Sequence, residues 1–410
     1  MQYKSSPVGE AAIDFVARDL FDEMCAWRRH LHSHPEIGFA EHDTTAYIRA
    51  LLTDWDVPFE ATTETGTVAT LRGQTLGAAL MLRADIDALP IQEETGLPFA
   101  SIHPGVMHAC GHDGHAAIVL GLIRHFAQDR DTIRGEIRFL FQPAEETAEG
   151  GAPRIIEAGA LNGVSAVAAV HLLSSLATGT IALSEGPVLG SEDRFDITVT
   201  GRGGHASGPH ETIDAVVVAA ALVGQLQTLV SRRVDPLLAA TLSVGSLHAG
   251  DAYNVIAGSA MISGTVRTLS PKARDVIAGE LVALTEGFAK AHGAVAQVEY
   301  FRGSPPLINH AAATDYARPA ARGAVGSDGV VAAAPFLGGE DFAYYGEHVP
   351  TVFAFVGAGD DSSHPLHHPK FDIDETALAI GLRYLIDLVS RWSDQAAAGL
   401  SATMTLPLDR

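Results

Sequence analysis

FDITVTG, residues 195–201, alternates apolar and polar side chains at period two, the pattern of a strand with one buried face. The polarity pattern of the chain changes here. Downstream, an Ala/Val/Leu-rich helix is predicted from Thr212 to Ser231, and LAATLSVGSL (238–247) and AMISGTVRTL (260–269) read as strands. A second helix over 271–292 and the strand VAQVEYF (295–301) complete the order β-α-β-β-α-β. That order is the split βαβ arrangement of a ferredoxin-like α+β module, so an inserted second domain is expected over 193–302. Upstream, from about residue 10 to residue 188, amphipathic helical stretches alternate with VATLR (68–72), AALMLR (78–83), EIRFLF (136–141) and VSAVAAV (164–170). Alternation of this kind predicts an α/β sheet with helices on its faces. FLGGEDFAYY (336–345) and TVFAFVG (351–357) return to the same patterning, so the first domain is expected to be discontinuous, over 1–192 and 303–410. No internal repeat is present, and the Ala-rich tail after Trp392 is expected to be a frayed end.

With 410 residues, 47% of them apolar, the chain can bury a large core. A formal charge of -22 repels phosphate backbones and anionic lipid, which argues against nucleic acid and membrane partners. The N-terminus has no apolar run behind a basic start, no other stretch is expected to span a membrane, and a cytoplasmic location follows as the expectation. The two cysteines, Cys25 and Cys110, are far apart and differently flanked, which does not suggest a disulfide framework. Cys25 reads as a packed residue of the first helix.

The densest set of ligand-type side chains is MHACGHDGHAA (107–117). Cys110 and His112 would point about 200° apart on a helix, whereas a loop, permitted by Gly111 and Gly114, turns both toward one point. Taken alone, such a Cys-x-His reads as a buried free cysteine beside solvent-facing histidines. In FLFQPAEETAEGG (139–151) an apolar strand runs into a proline and then the adjacent acids Glu145 and Glu146. Two neighbouring carboxylates can divide the work, one binding metal while the other takes a proton from water. A solvated helix start is the plainer reading, but the carboxyl end of an α/β strand is where such folds place their sites. VAAVHLL (167–173) places His171 at the expected end of a strand, and PLHHPKFDIDE (365–375) places His367 and His368 before a helix. Together Cys110, His112, Glu146, His171 and His367 supply thiolate, imidazole and carboxylate ligands sufficient for two divalent ions, with the thiolate able to bridge.

The segments RRHLHSHPEIGFAE (28–41), LRADIDALPIQEETGLPFAS (82–101), MHACGHDGHAA, QPAEETAEGGA, GRGGHAS (201–207), YNVI (253–256), GTVRT (264–268), GGEDFAYY and LHHPKFDIDE occur in this order from about residue 26 to 392. As a set they resemble the amidohydrolase branch of the two-metal peptidase and aminoacylase family, with its hippurate hydrolases, N-acyl-amino-acid amidohydrolases and auxin-conjugate hydrolases. The resemblance implies a phosphorylase/hydrolase-like catalytic domain with a mixed sheet, and an inserted lid and dimerisation domain. It implies metal binding by Cys110, His112, Glu146, His171 and His367, with Glu145 as general base. His367 is preferred to His368 because the first histidine of Leu-His-x-Pro is the ligand. It also implies that His205 stabilises the oxyanion, from the partner subunit of a homodimer or higher homo-oligomer, while Asn254 and Arg267 bind substrate, the Arg267 fork suiting a carboxylate. Two divalent ions, Zn²⁺ or Mn²⁺ first and Co²⁺ or Ni²⁺ next, would be the cofactors. The implied reaction is hydrolysis of N-acyl amino acids to a carboxylic acid and a free amino acid.

Where relatives in the wider family carry His-x-Asp, this chain has Arg83-Ala84-Asp85, so that ligand arrangement does not transfer. Asp85, Asp87 and Asp113 remain as residues that could orient ligands. LLSSLATG after His171 lacks the expected prolines, and the run His30, His32, His34 reads as a helix end rather than a ligand set. The nearest alternative is a dipeptidase or carboxypeptidase with the same two-metal site. A catalytically silent metal-binding protein is another, against which the presence of Glu145 speaks.

Overall fold

The computed structural model describes residues 7–73 and 79–397, which divide into two compact units. The first takes in the chain up to Gly186, residues 308–334 and the chain from Tyr344, and the second takes in 187–307 and 335–343. In chain order the first unit opens with α1 (Pro7–Val16), α2 (Arg18–Ser33), α3 (His42–Asp54), β1 (Phe59–Ala61), β2 (Thr67–Arg72), β3 (Ala79–Asp85), α4 (His112–Gln128), β4 (Glu136–Gln142), α5 (Ala152–Glu157), β5 (Val164–Ala177) and β6 (Ile181–Ala182). There follow β7 (Gly186–Leu189), β8 (Asp193–Thr200), β9 (Gly204–His205), α6 (Ala215–Arg233), β10 (Ala240–Ala249), β11 (Val255–Ile256), β12 (Ser259–Thr268), α7 (Pro271–Ala291) and β13 (Val295–Arg302). The chain then runs through β14 (Leu307–Asn309), α8 (Ala311–Val325), β15 (Val330–Val331), β16 (Thr351–Gly359) and α9 (Thr376–Ala397).

The first unit is an α/β structure on a mixed eight-stranded sheet in the order β1-β2-β4-β3-β5-β16-β6-β15. Its central strands β4, β3, β5 and β16 run parallel to their neighbours in that group, while β2 and β6 join antiparallel. Every residue of β3 and of β16 is buried, as expected of strands covered on both faces. Phe139 and Phe141 of β4 are wholly buried, each contributing roughly 1.5–3 kcal/mol relative to exposure. The N-terminal amides of α3 are met by Glu36, whose carboxylate accepts from Asp43 N at 3.1 Å and Thr44 N at 2.8 Å.

The second unit carries β8, α6, β10, β12, α7 and β13 in that order, its four-stranded sheet running β10-β12-β8-β13 with antiparallel neighbours. The alternation of 195–201 is realised as buried Phe195, Ile197 and Val199. Asp214 caps α6 through Val216 N at 2.9 Å, and Ser270 caps α7 ahead of Pro271. Contrary to the expectation that no stretch approaches a membrane span, α6 has the length and hydropathy of one. Its Val218, Leu222, Leu226 and Leu229 instead pack into the core of this unit.

Two further expectations are corrected. His171 does not end a strand: β5 continues to Ala177, pairing parallel with β16 at Leu172 and Leu173 and again, past an irregularity in register, at Ala177 opposite Gly359. The helix α9 runs five residues beyond Trp392, to Ala397; the rest of the predicted frayed tail, like Ala78 of the AALMLR strand, lies outside the described residues.

Candidate metal centre

Cys110 lies just before α4, and Gly111 takes the left-handed conformation that lets the chain turn into the helix, with φ of 87°. The expected loop therefore ends at once, and His112 is the first helical residue. Gly114 sits inside the helix, where a Cβ would stand 2.4 Å from Leu172 Cδ1, so its small size serves packing of α4 against β5. His171 projects from β5, Glu145 and Glu146 follow β4 in a turn rather than a helix start, and His367 lies in the segment before α9. His367 has a left-handed backbone, φ 63°, and its N–H is held by Ala109 O at 2.8 Å, one residue from Cys110.

These elements bring the five ligand-type residues together in two groups that share the Cys110 sulfur, Cys110 with His112 and His171, and Cys110 with Glu146 and His367. Cys110 Sγ is 3.6 Å from His171 Nε2, His367 Nε2 is 3.1 Å from Glu146 Oε1, and His112 Nε2 is 3.9 Å from both Glu145 Oε2 and Glu146 Oε1. Tautomers follow from the other ring nitrogens. His112 Nδ1 donates to Asp87 O at 2.9 Å and His171 Nδ1 donates to Leu172 O at 2.9 Å, so that each ring, when neutral, presents its Nε2 lone pair to a ligand. Among the described residues, His112 Nε2 and Glu146 Oε1 are buried with no hydrogen-bond partner, Glu146 Oε1 lying 3.1 Å from His367 Nε2. Buried orphan acceptors in a mixed thiolate, imidazole and carboxylate set fit divalent cations.

The electrostatics of these groups do not all run the same way. Burial, then the carboxylates of Glu146 and Glu145, push the Cys110 thiol well above its ordinary value. A divalent ion supplies the charge that deprotonates a coordinating thiol. Burial, reinforced by His115, holds His171 well below the usual imidazole range and thus neutral. His112 goes the other way: burial alone would lower it, but Asp85 and Asp87 raise it to about 10.

His368, the neighbour passed over in favour of His367, accepts from Lys370 N at 3.0 Å and stacks on His364. The three acids left as orienting candidates are all buried and all engaged. Asp85 meets Arg83 and His115, Asp87 meets the amides of Glu145 and Glu146, and Asp113 meets Arg28 and His32. Arg83 pairs with Asp85 at 2.5 Å and with Gln142 at 2.9 Å. Arg28 and Glu41 received no individual role from the sequence, and His32 only a place at a helix end, although RRHLHSHPEIGFAE was singled out. Charged residues embedded among Leu31, Pro35 and Phe39 were the available signal.

In the second unit His205 and Asn254 are neighbours, since β9 pairs with β11 and Ala206 N donates to Asn254 O at 3.2 Å. Both side chains are exposed. His205 Nδ1 accepts from Ser207 N at 3.1 Å, so the neutral ring carries its proton on Nε2. Arg267 lies on β12, its guanidinium paired with Glu192 and its Nε 3.2 Å from Thr265 Oγ1.

The profile of Peptidase family M20/M25/M40 matches residues 81–391. An N-acetyl-L-cysteine deacetylase of Bacillus subtilis (strain 168) is 42% identical over 395 residues, covering 96% of this chain and 92% of the relative. An N-acyl-L-amino acid amidohydrolase of Geobacillus stearothermophilus is 46% identical over 289 residues, 70% of this chain and 78% of the relative. Among solved structures, a Bacillus subtilis protein described as a dinuclear metal binding peptidase superposes with a TM-score of 0.82 at 37% identity, covering 92% of this chain and 99% of that one.

Proposed function

The chain belongs to peptidase family M20/M25/M40, and from that premise we propose that it is a metal-dependent amidohydrolase that cleaves N-acyl amino acids into a carboxylic acid and a free amino acid. The observation that carries this reading is the pair of ligand groups sharing the Cys110 sulfur, with Glu145 Oε2 3.9 Å from His112 Nε2.

Cys110, His112, Glu146, His171 and His367 would hold two divalent ions, which when bound acidify water and polarise the acyl carbonyl. Zn²⁺ or Mn²⁺ suits this donor set first, and Co²⁺ or Ni²⁺ next. Glu145 takes a proton from the water whose oxygen bonds to the acyl carbon. His205 donates from Nε2 to the oxyanion, a role supported by the Ser207 bond that fixes its tautomer. Glu145 then passes its proton to the departing nitrogen as the C–N bond breaks, so the amine leaves neutral. Asn254 holds the substrate, and Arg267 receives its carboxylate in exchange for Glu192.

In this reading the metal-binding catalytic domain spans 1–192 and 303–410, although 335–343 group with the second unit, and 193–302 is a ferredoxin-like lid and dimerisation domain of a homodimer. The strand order of the second unit supports the ferredoxin-like part of that reading. Two free, buried cysteines accord with a reducing, cytoplasmic setting. The test is turnover of N-acetyl-methionine and hippurate against Gly-Leu, with and without added Mn²⁺. The proposal expects Mn²⁺-dependent release of free amino acid from the acylated substrates; cleavage of Gly-Leu alone would make the enzyme a dipeptidase.

A further inference from the structure

The geometry points to Asp87 and Glu41 as positioning residues that together clamp the turn bearing Glu145 and Glu146. The inference rests on the reading of Glu145 as base and Glu146 as metal ligand. Three consecutive backbone N–H groups of that turn are each held by a buried carboxylate. Ala144 N donates to Glu41 Oε1 at 2.8 Å, Glu145 N to Asp87 Oδ1 at 3.0 Å, and Glu146 N to Asp87 Oδ2 at 2.9 Å. Both acids are shut off from solvent, Glu41 at 0% and Asp87 at 1% exposure.

The turn needs holding because Ala144 has φ 57°, a left-handed conformation that a residue with a Cβ adopts only when its surroundings impose it. The segment carrying Glu41 also comes very close. A Cβ on Gly38 would stand 2.4 Å from Thr147 Cγ2 and 3.0 Å from Ala144 Cα. Asp87 does more than satisfy a turn. Its own carbonyl accepts from His112 Nδ1 at 2.9 Å, so one residue fixes a metal-ligand ring through its main chain and the base and a second ligand through its side chain. Positions of Glu145 and His112 are thus set against each other by a single rigid acid, with both carboxylate oxygens occupied. Glu41 uses one oxygen on the turn.

That difference makes the test specific. In the full chain, Asp87→Asn keeps the shape but turns an amide NH₂ toward one of the two N–H groups, which displaces the turn. Misplacement on this scale should lower kcat for N-acetyl-methionine by about 100-fold, with KM close to wild type. It should also weaken Mn²⁺ binding, measured by calorimetry, on the order of 10- to 100-fold. Glu41→Ala should lose kcat and Mn²⁺ affinity in the same direction, and Glu41→Gln should restore both, since its carbonyl oxygen still accepts from Ala144 N. A lowered melting temperature with kcat and Mn²⁺ affinity at wild-type levels in Asp87→Asn would overturn the clamp, as would Glu41→Gln being as impaired as Glu41→Ala. The Glu41 pair decides the matter if Asp87→Asn does not fold. Failure of the wild-type chain to hydrolyse any N-acyl amino acid would defeat the functional reading instead, while the Mn²⁺ arm still judges the clamp.

Discussion

His115 Nδ1 lies 2.6 Å from Asp85 Oδ1, both side chains buried, and the other ring nitrogen of His115 accepts the Leu172 N–H at 2.9 Å. Asp85, His112 and His115 approach closely enough to suggest a further ligand group, but His115 has both nitrogens committed. It ties β3 to the main chain beside His171 rather than holding an ion. His115→Ala should therefore keep two metals per chain while losing about 1–3 kcal/mol of stability, since it leaves the buried Leu172 amide unpaired. Denaturation and elemental analysis check both halves; loss of a metal equivalent would make His115 a ligand.

Stability should carry a pH signature from His32. Burial alone would lower its pKa, but hydrogen bonds and charge from Asp113, with help from Glu93 and against Arg28, raise it from 6.5 to about 9. A raised folded-state value means that the contribution is full below 6.5 and fades as pH rises through 9. The advantage of wild type over His32→Gln in urea denaturation should accordingly shrink between pH 6.5 and 9. An advantage that grows over that window would reverse the sign of the pair.

Arg267→Ala should raise KM for N-acyl amino acids far more than for the matching amino-acid amides. Losing one charged hydrogen-bond pair of about 1.5–3 kcal/mol corresponds to roughly a 10- to 150-fold rise. Steady-state kinetics on both substrate series measure it, and equal losses on the two would remove Arg267 from the carboxylate role.

A histidine donated across a two-fold dimer predicts complementation between inactive chains. Glu145→Ala and His205→Ala chains, co-expressed in equal amounts, should pair at random so that roughly half the dimers are mixed, each with one complete site. Activity should recover to about one quarter of wild type. Mixed dimers verified by differential tags yet without activity would place His205 at its own chain's site.

The sequence made some of this legible and left some dark for identifiable reasons. Period-two alternation placed β8, because Phe195, Ile197 and Val199 face a core while their neighbours do not. The ligand-type residues were legible because Cys110, His112, Glu145 and Glu146 sit in tight clusters whose chemistry is local. The extent of β5 was not, since LLSSLA pairs through β16, which lies some 180 positions on. Nor were the tasks of Glu41 and Asp87, which act on the backbone of a turn 103 and 58 residues away and leave no local pattern. Acids flanked by apolar residues, as Asp87 is in ADIDAL, hinted only that such a carboxylate is buried with a partner, not which one.

The measurement that tests the account most directly is metal content alongside turnover in Glu145→Gln and Glu146→Gln. Glu145→Gln keeps the shape but cannot accept a proton, so hydrolysis of N-acetyl-methionine should fall by about 100-fold or more with metal content nearly intact. Glu146→Gln, altered at a carboxylate 3.1 Å from His367 Nε2, should instead lose metal. Equal metal depletion in both variants, or full turnover in Glu145→Gln, would contradict the division of labour on which the proposed hydrolase rests.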